Sequence, residues 1–159
     1  MAESLTPELA RQRMINLMDA AGSEYKVYTH RPIRNYDDAE LARRESGFTG
    51  TESKSLVLKS GEDVIVYVTL AGRRVDFKAV RAHLGGPKPK ILADEELWSR
   101  FAAEPGAAYP FGFDKDVRIY VDPDIYGEEW LLLSLVLPTE TVQIPGEDIR
   151  KVFAKVANP

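Results

Sequence analysis

Cysteine is absent from this chain of 159 residues, and histidine occurs only twice, as His30 and His83. Without cysteine there is no disulfide, no thiolate nucleophile and no zinc–thiolate site. Two histidines are too few for a histidine-rich metal site, and the carboxylates show no recognisable ligand spacing. We therefore predict a protein that needs neither a metal ion nor another cofactor.

The motifs of several common enzyme classes are also missing. The sequence has no G-x-S-x-G elbow, no Walker A loop, no G-x-G-x-x-G fingerprint and no H-E-x-x-H pair. Its uncharged apolar runs are shorter than the ~20 residues that a membrane span needs. The N-terminus carries charges where a signal peptide needs an apolar core. These absences predict a cytoplasmic protein that does not enter a membrane.

The composition is that of an ordinary folded domain. Hydrophobic residues make up 44% of the chain and charged residues 29%, which is near the average for globular proteins. Neither a linker nor an internal repeat interrupts the chain, so we predict a single domain over residues 1–159 with an N-terminal helix at about 6–21. The formal net charge of −4 argues against non-specific coating of nucleic acid.

The charge is distributed unevenly along the sequence. Between residues 71 and 90, one acid stands against six basic residues: Arg73, Arg74, Lys78, Arg81, Lys88 and Lys90. Between residues 104 and 148, ten acids stand against two basic residues. The basic segment could contact phosphates, or the two segments could form oppositely charged solvated faces.

Hydrophobic periodicity and turn residues predict an irregular succession of helices and strands. The sheet that results should be mixed and mostly antiparallel, or a partial barrel, flanked by helices in an α+β fold. Thr6 and Pro7 begin the first helix, and the turn at residues 60–63 joins two strands in a hairpin. The predicted helices are 6–21, 36–45, 76–84 (capped by Asp76), 94–103 (capped by Asp94) and 146–157, and the predicted strands are 25–30, 53–59, 64–70, 117–122, 130–137 and 139–144.

Two segments carry possible chemistry. On an alternating strand, Lys54 shares a face with Leu56 and Leu58, so its amine would emerge at the rim of an apolar cavity if that face points inward. The alternative is an ordinary exposed lysine. The loop from Gly106 to Gly112 has two glycines around a proline and could direct main-chain N–H groups of Ala107, Ala108 or Tyr109 at one point as an oxyanion hole. The alternative is a structural turn.

The two histidines suggest little by themselves. His83 lies on a predicted helix beside the basic segment, and we predict a surface histidine. His30 ends a strand just before Arg31 and Pro32. It could line a pocket or stabilise the turn.

Taken in order, these segments resemble the YbaK and prolyl-tRNA-synthetase-associated domain family, over about residues 25–156. The resemblance rests on K-S-L at Lys54, on a V-x-V-x-L run followed by A-G-R-R-V-D ending at Asp76, on G-x-x-x-P-F-G from Gly106, and on V-D ending at Asp122. The N-terminal segment with His30-Arg31-Pro32 resembles the free-standing branch of the family.

The resemblance implies a deacylase that clears mischarged aminoacyl-tRNA in trans. It implies that Lys54 contacts the terminal nucleotide of the tRNA and that Gly106, Ala107, Ala108, Tyr109 and Gly112 form a loop whose amides surround the ester carbonyl. Water attacks the ester with help from the free ribose hydroxyl. Ser134 and His30 are expected at the amino-acid pocket, and Arg73, Arg74 and Lys78 are expected to contact tRNA phosphates weakly and in a salt-sensitive way. An aminoacyl-tRNA synthetase is a further candidate partner.

The sequence departs from the family pattern H-P-x-x-N-T. Ser134 stands where the histidine is expected and Pro138 where the asparagine is expected. A hydroxyl still forms hydrogen bonds but carries no charge at neutral pH. Two alternatives therefore stay open: a binding module with the same fold that holds an aminoacyl-nucleotide, an amino acid, a partner protein or nucleic acid without hydrolysis, and a DNA-binding protein.

Overall fold

The computed structural model describes residues 5–33, 35–104, 108–114 and 116–156. In chain order its helices are α1 (Pro7–Ala20), α2 (Tyr36–Ser46), α3 (Phe77–Leu84), α4 (Asp94–Phe101) and α5 (Gly146–Val156). Its strands are β1 (Lys26–Thr29), β2 (Thr51–Ser60), β3 (Asp63–Leu70), β4 (Lys90–Ile91), β5 (Arg118–Val121), β6 (Leu131–Leu135) and β7 (Leu137–Ile144). A short 3₁₀ helix spans Pro123–Gly127.

The strands form one sheet in the order β1-β7-β6-β2-β3-β5, with β4 on β2. The pairs β1–β7, β2–β3, β2–β4 and β6–β7 are antiparallel, and the pairs β2–β6 and β3–β5 are parallel. The predicted α+β fold with a mixed, mostly antiparallel sheet is thus confirmed, and the sheet is open rather than closed into a barrel.

The β2 strand is the centre of the sheet, and its two edges behave differently. One edge pairs with β3 from Ser53 to Ser60. The other edge pairs with β6 only at Thr51 and Glu52, and with β4 only at Leu58 and Lys59. Between these two short ladders, residues 53–56 face no other strand of the described chain along that edge. The sheet therefore opens a gap beside the middle of β2.

Local sequence signals explain where the first helices begin. The hydroxyl of Thr6 accepts from the amide of Leu9 at 3.1 Å and Pro7 takes the first turn, so α1 starts as predicted. The α3 helix starts in the same way, because the Asp76 carboxylate accepts from the amide of Ala79 at 3.0 Å. The α1 helix buries Ala10, Met14 and Met18, spaced four residues apart on one face.

The main core lies between the sheet and helices α1 and α5. It joins Met14 and Met18 to alternate residues of β3 and β6, such as Val66, Val68 and Leu133, and to Phe153 of α5. The strand predicted at 64–70 is a covered central strand, because β3 has a strand on each side and five of its eight residues are buried.

Two local predictions need correction. Asp94 does not cap α4: Ala93 occupies the cap position without a side-chain bond, and Asp94 lies in the first turn, where its charge suits the helix dipole. The break between β6 and β7 falls at Val136, which has a φ of 70°, rather than at Pro138. Pro138 lies near the start of β7, a position where a strand tolerates a missing N–H. Two short elements, β4 and the 3₁₀ helix, are absent from the prediction.

Candidate functional site

A cavity of about 530 Å³ occupies the gap beside β2. Its volume falls within the roughly 300–1,000 Å³ of small-molecule sites. One wall is residues 52–57 of β2, and the opposite wall comes from β6 and β7, with α4 and the segment around His30 contributing further side chains. The cavity exists because β2 and β6 stop pairing after Glu52 and Leu132.

Lys54 lies in the β2 wall. It is half-buried, and its amine donates to the main-chain carbonyl oxygen of Arg73, just beyond the end of β3. This contact holds the long side chain in place at the cavity. Of the residues expected on one face, Lys54 and Leu56 line the cavity, whereas Leu58 is fully buried in a separate cluster with Ile65 and Val80.

The opposite wall carries two hydroxyl side chains. Ser134 of β6 and Thr141 of β7 are directly paired across the two strands, and both line the cavity. Thr141 is only 6% exposed. The register shifts immediately after Ser134, where Val136 turns the chain.

His30 also lines the cavity, and it is held at both ring nitrogens. Its Nδ1 lies 2.6 Å from the carbonyl oxygen of Arg31, and its Nε2 lies 2.7 Å from the Thr141 hydroxyl. The ring packs against Phe48 with 5.6 Å between centroids. Both interpretations offered by the sequence therefore apply, because the same ring lines the pocket and fixes the turn after β1.

Three carboxylates reach the cavity, and two of them are paired with arginine. Glu140 binds Arg11 of α1 through two hydrogen bonds of 2.7 and 2.9 Å. Glu52 accepts from Arg43 of α2 at 3.0 Å. Asp94 lies at the N-terminus of α4 and lines the cavity as well. These pairs tie α1 and α2 to the walls of the cavity.

Only one described residue of the loop predicted to form an oxyanion hole lines the cavity. Gly106 and Ala107 lie outside the described residues. Ala108 lines the cavity. Tyr109 and Gly112 do not line it: Gly112 packs against α1, where an added Cβ would lie 3.4 Å from Met14.

The Tyr109 side chain belongs to the core. It is fully buried, its hydroxyl donates to the carbonyl oxygen of Phe101 at 2.9 Å, and its ring stacks on Phe113 with 4.6 Å between centroids. Burial raises the pKa of the Tyr109 hydroxyl. Tyr109 therefore anchors the loop and offers the cavity no side-chain group.

The basic residues expected to contact phosphate differ in their contacts with acidic side chains. Arg73 binds Asp122 at 2.8 Å and Asp124 at 2.7 Å. Arg74 is exposed, and Lys78 of α3 is exposed beside Arg81 at a shallow groove. None of the three lines the cavity in the described part of the protein. The side chain of His83 lies outside the described residues.

Among the described residues, no group of three or more histidine, aspartate and glutamate side chains is arranged to hold a metal ion. None of the described helices is both long enough and apolar enough to cross a membrane. The chemistry available at the cavity is therefore that of an amine, hydroxyl groups, an imidazole, carboxylates and main-chain amides.

Comparison with known protein families identifies the family to which this chain belongs. Residues 30–152 match the family model of the aminoacyl-tRNA editing domain. The chain belongs to the aminoacyl-tRNA editing domain family. This membership confirms the resemblance on which the sequence analysis rested, and with it the predicted function of an aminoacyl-tRNA editing deacylase. The tRNA is the substrate that the family implies.

Individual relatives are distant in sequence and near in fold. The multifunctional Ser/Thr-tRNA deacylase ProXp-y of Escherichia coli (strain K12) is 24% identical over 130 residues, covering 79% of this chain and 77% of that protein. A solved structure described as a candidate trans-editing enzyme for prolyl tRNA synthetase has a TM-score of 0.72 at 19% identity, covering 94% of this chain and 93% of that one. The structure of a hypothetical protein has a TM-score of 0.74 at 14% identity, covering 89% and 94%.

Several residues that line the cavity were not predicted as site residues from the sequence, namely Glu52, Asp94, Glu140 and Thr141. A signal for Thr141 is present in the strand T-E-T-V-Q-I, where Thr139, Thr141 and Gln143 alternate with other residues. Polar residues at alternate positions of a strand whose last four residues are buried indicate a polar lining inside the molecule.

Proposed function

We propose that this chain hydrolyses the ester of a mischarged aminoacyl-tRNA in trans, with the aminoacyl end of the tRNA bound in the cavity beside β2. The observation that carries the proposal is that Lys54 and Ala108 line one cavity of about 530 Å³. Such a space suits a terminal nucleoside with its attached amino acid. A common cavity for these two groups is the arrangement that the chemistry requires.

The roles follow from the chemistry of each wall. Lys54 holds the nucleotide end as a point charge whose direction is set by the Arg73 carbonyl. The main-chain amide of Ala108 stabilises the negative charge that develops on the ester oxygen. A water oxygen adds to the carbonyl carbon, the bond to the ribose oxygen breaks, and the released ribose oxygen takes a proton. The protein supplies position and charge stabilisation rather than a nucleophile.

Serine and threonine are the amino acids that we propose are removed. A relative is named as a Ser/Thr-tRNA deacylase, and the wall opposite Lys54 carries the hydroxyl groups of Ser134 and Thr141. A polar wall of this kind favours a substrate that forms hydrogen bonds over an apolar one of the same size.

Contact with the body of the tRNA is assigned to Arg74 and Lys78. Both are exposed, whereas Arg73 is engaged by Asp122 and Asp124 and stabilises the protein instead. Few phosphate contacts and a net charge of −4 make this binding weak and sensitive to salt. An aminoacyl-tRNA synthetase as a partner, and a cytoplasmic location, remain predictions.

The test is a deacylation assay with seryl-, threonyl-, alanyl- and cysteinyl-tRNA. Replacing Lys54 with alanine removes a charge-assisted contact, so kcat/KM should fall by about 10- to 100-fold. Lys59 lies on the same strand, does not line the cavity and pairs with Glu96 at the surface. The Lys59→Ala control should keep full activity, and both variants should keep the thermal stability of the parent.

The same assay separates the alternatives. If the unmutated chain turns over none of these substrates yet binds a non-hydrolysable aminoacyl-adenosine, the cavity is a binding module and the hydrolase proposal is wrong. Salt-sensitive binding to plain duplex DNA with an affinity matching that for tRNA would favour the DNA-binding alternative.

A further inference from the structure

The contacts of His30 determine which of its ring nitrogens carries a hydrogen. A carbonyl oxygen only accepts hydrogen bonds, so the Nδ1 that lies 2.6 Å from the Arg31 carbonyl oxygen must be the donor. In the neutral ring the Nε2 atom then has no hydrogen and must accept. Its partner at 2.7 Å is the hydroxyl of Thr141.

This assignment fixes the direction of the Thr141 hydroxyl. Its single hydrogen is used in the bond to His30, which leaves the oxygen lone pairs for any other partner. Thr141 is 6% exposed and lines the cavity, so those lone pairs are available to a group bound there. With neutral His30, Thr141 is an acceptor toward the cavity and cannot donate to it.

The location of Thr141 indicates which part of a substrate it contacts. Lys54 lies on β2, Ser134 on β6 and Thr141 on β7, so Thr141 is two strands away from Lys54. Two spacings between paired strands amount to roughly 10 Å, and the gap between β2 and β6 at Lys54 adds to that separation. If Lys54 holds the nucleotide, Thr141 lies at the end of the cavity that receives the amino acid.

We propose that His30 is a positioning residue that makes Thr141 an acceptor for the side-chain hydroxyl of the aminoacyl group, and that this pair selects seryl and threonyl esters against alanyl and valyl esters. The inference rests on the proposed function. It assigns the selectivity to Thr141, which the sequence analysis did not identify, and to a ring that need not touch the substrate.

The first experiment compares substrates that differ by one hydroxyl. The Thr141→Val variant keeps the shape and removes the hydroxyl, so kcat/KM should fall about 5- to 100-fold more for seryl-tRNA than for alanyl-tRNA. The Thr141→Ser variant keeps the hydroxyl and should restore most of the selectivity. An equal loss for both substrates would mean that Thr141 contacts the ribose or the α-amino group, and would overturn the inference.

The second experiment uses His30. The ratio of kcat/KM for seryl-tRNA to that for alanyl-tRNA should fall in His30→Ala, because the Thr141 hydroxyl then loses the partner at 2.7 Å that fixes its hydrogen. The His30→Gln variant, whose side-chain oxygen can accept that hydrogen, should restore part of the ratio. A purely structural histidine would lower both rates together and leave the ratio unchanged in both variants, which would contradict the positioning role.

A binding measurement keeps this inference separate from the proposed function. Amide-linked seryl- and alanyl-adenosine cannot be hydrolysed, so their Kd values report selectivity even for an inactive chain. Absence of turnover with the parent contradicts the proposed hydrolysis alone. Equal Kd values for the two analogues with the parent, or an unchanged preference in Thr141→Val, contradict the role of Thr141.

Discussion

At the scale of single residues, Asp122 joins β5 to the segment after β3. Its carboxylate accepts from the Thr69 hydroxyl at 2.7 Å, from Arg73 at 2.8 Å and from the amide of Asp124 at 3.0 Å. Burial acts to raise the pKa of Asp122, but these hydrogen bonds outweigh it and the pKa lies below its ordinary value. The same junction supports Lys54, because the amine of Lys54 is bound to the carbonyl of Arg73.

Replacing Asp122 with asparagine should lower the free energy of unfolding by about 1–3 kcal/mol at neutral pH. A lowered native-state pKa means that the carboxylate stabilises the fold above its unfolded-state pKa of about 3.9. This contribution is lost as the pH falls through the native-state pKa, so the stabilities of parent and variant should converge in acid.

Urea unfolding from neutral to acidic pH measures this effect. Asp124 is the matched control, because it binds the same arginine but is 62% exposed. The Asp124→Asn variant should change stability little. A gap between parent and Asp122→Asn that stays constant down to the lowest pH would argue that the loss is steric and not electrostatic.

At the scale of elements, the first residue of α5 packs closely against the end of the 3₁₀ helix. The amide of Gly146 donates to the carbonyl of Glu128 at 3.0 Å. A Cβ at Gly146 would lie 2.4 Å from the Glu128 oxygen and 2.7 Å from the Tyr126 oxygen. Only glycine allows this approach, which positions the buried residues Ile149, Val152 and Phe153 of α5 against the core.

We expect Gly146→Ala to destabilise the protein by about 1–3 kcal/mol, because main-chain atoms must move to accommodate the methyl group. Gly127 lies in the same region, and an added Cβ would meet nothing within 4 Å. The Gly127→Ala variant should therefore keep the melting temperature of the parent. Thermal unfolding of the two variants checks this, and an equal loss for both would show that close packing at Gly146 is not the cause.

Sequence patterns predicted most elements because their signals are local. Thr6 and Asp76 mark helix starts through contacts three residues away, and Pro7 suits a first helical turn. Two runs of strand-forming residues joined by the turn at 60–63 marked β2 and β3. The sequence prediction placed the break between β6 and β7 at Pro138 instead of Val136, because a β-branched residue with positive φ is rare. Its position is decided by the pairing of β6 with β7.

The candidate site was predictable only where it follows a family motif. Lys54 and the loop that contains Ala108 were identified in that way. Thr141 was missed because its contact with His30 spans 111 residues, and no local pattern reports a contact of that range. The core position of Tyr109 could not be predicted either, because within a glycine-rich loop a buried core residue and a site residue give the same sequence pattern.

At the scale of the whole molecule, we expect charge to govern how a tRNA approaches the cavity. The chain is acidic overall, and Arg74 and Lys78 lie outside the cavity. Replacing both with alanine should raise KM for full-length charged tRNA several-fold and leave kcat unchanged, since their contacts are made equally before and in the transition state. An aminoacylated fragment that ends shortly before the acceptor stem should be unaffected.

Steady-state kinetics on both substrates at two salt concentrations test this. The parent should lose affinity for the full tRNA as salt rises, and the double variant should lose less. A matching loss on the short fragment would place these two residues near the reaction rather than along the tRNA.

The break in pairing beside β2 has an evolutionary consequence. Residues 53–56 present their peptide groups along an edge that no other strand in the described chain covers, and peptide groups survive every substitution except proline. The main-chain part of the β2 wall is thus independent of side-chain identity, while side chains such as Lys54 and those of β6 and β7 can change. Proteins that share little sequence can therefore keep this scaffold and differ in the side chains that line the cavity.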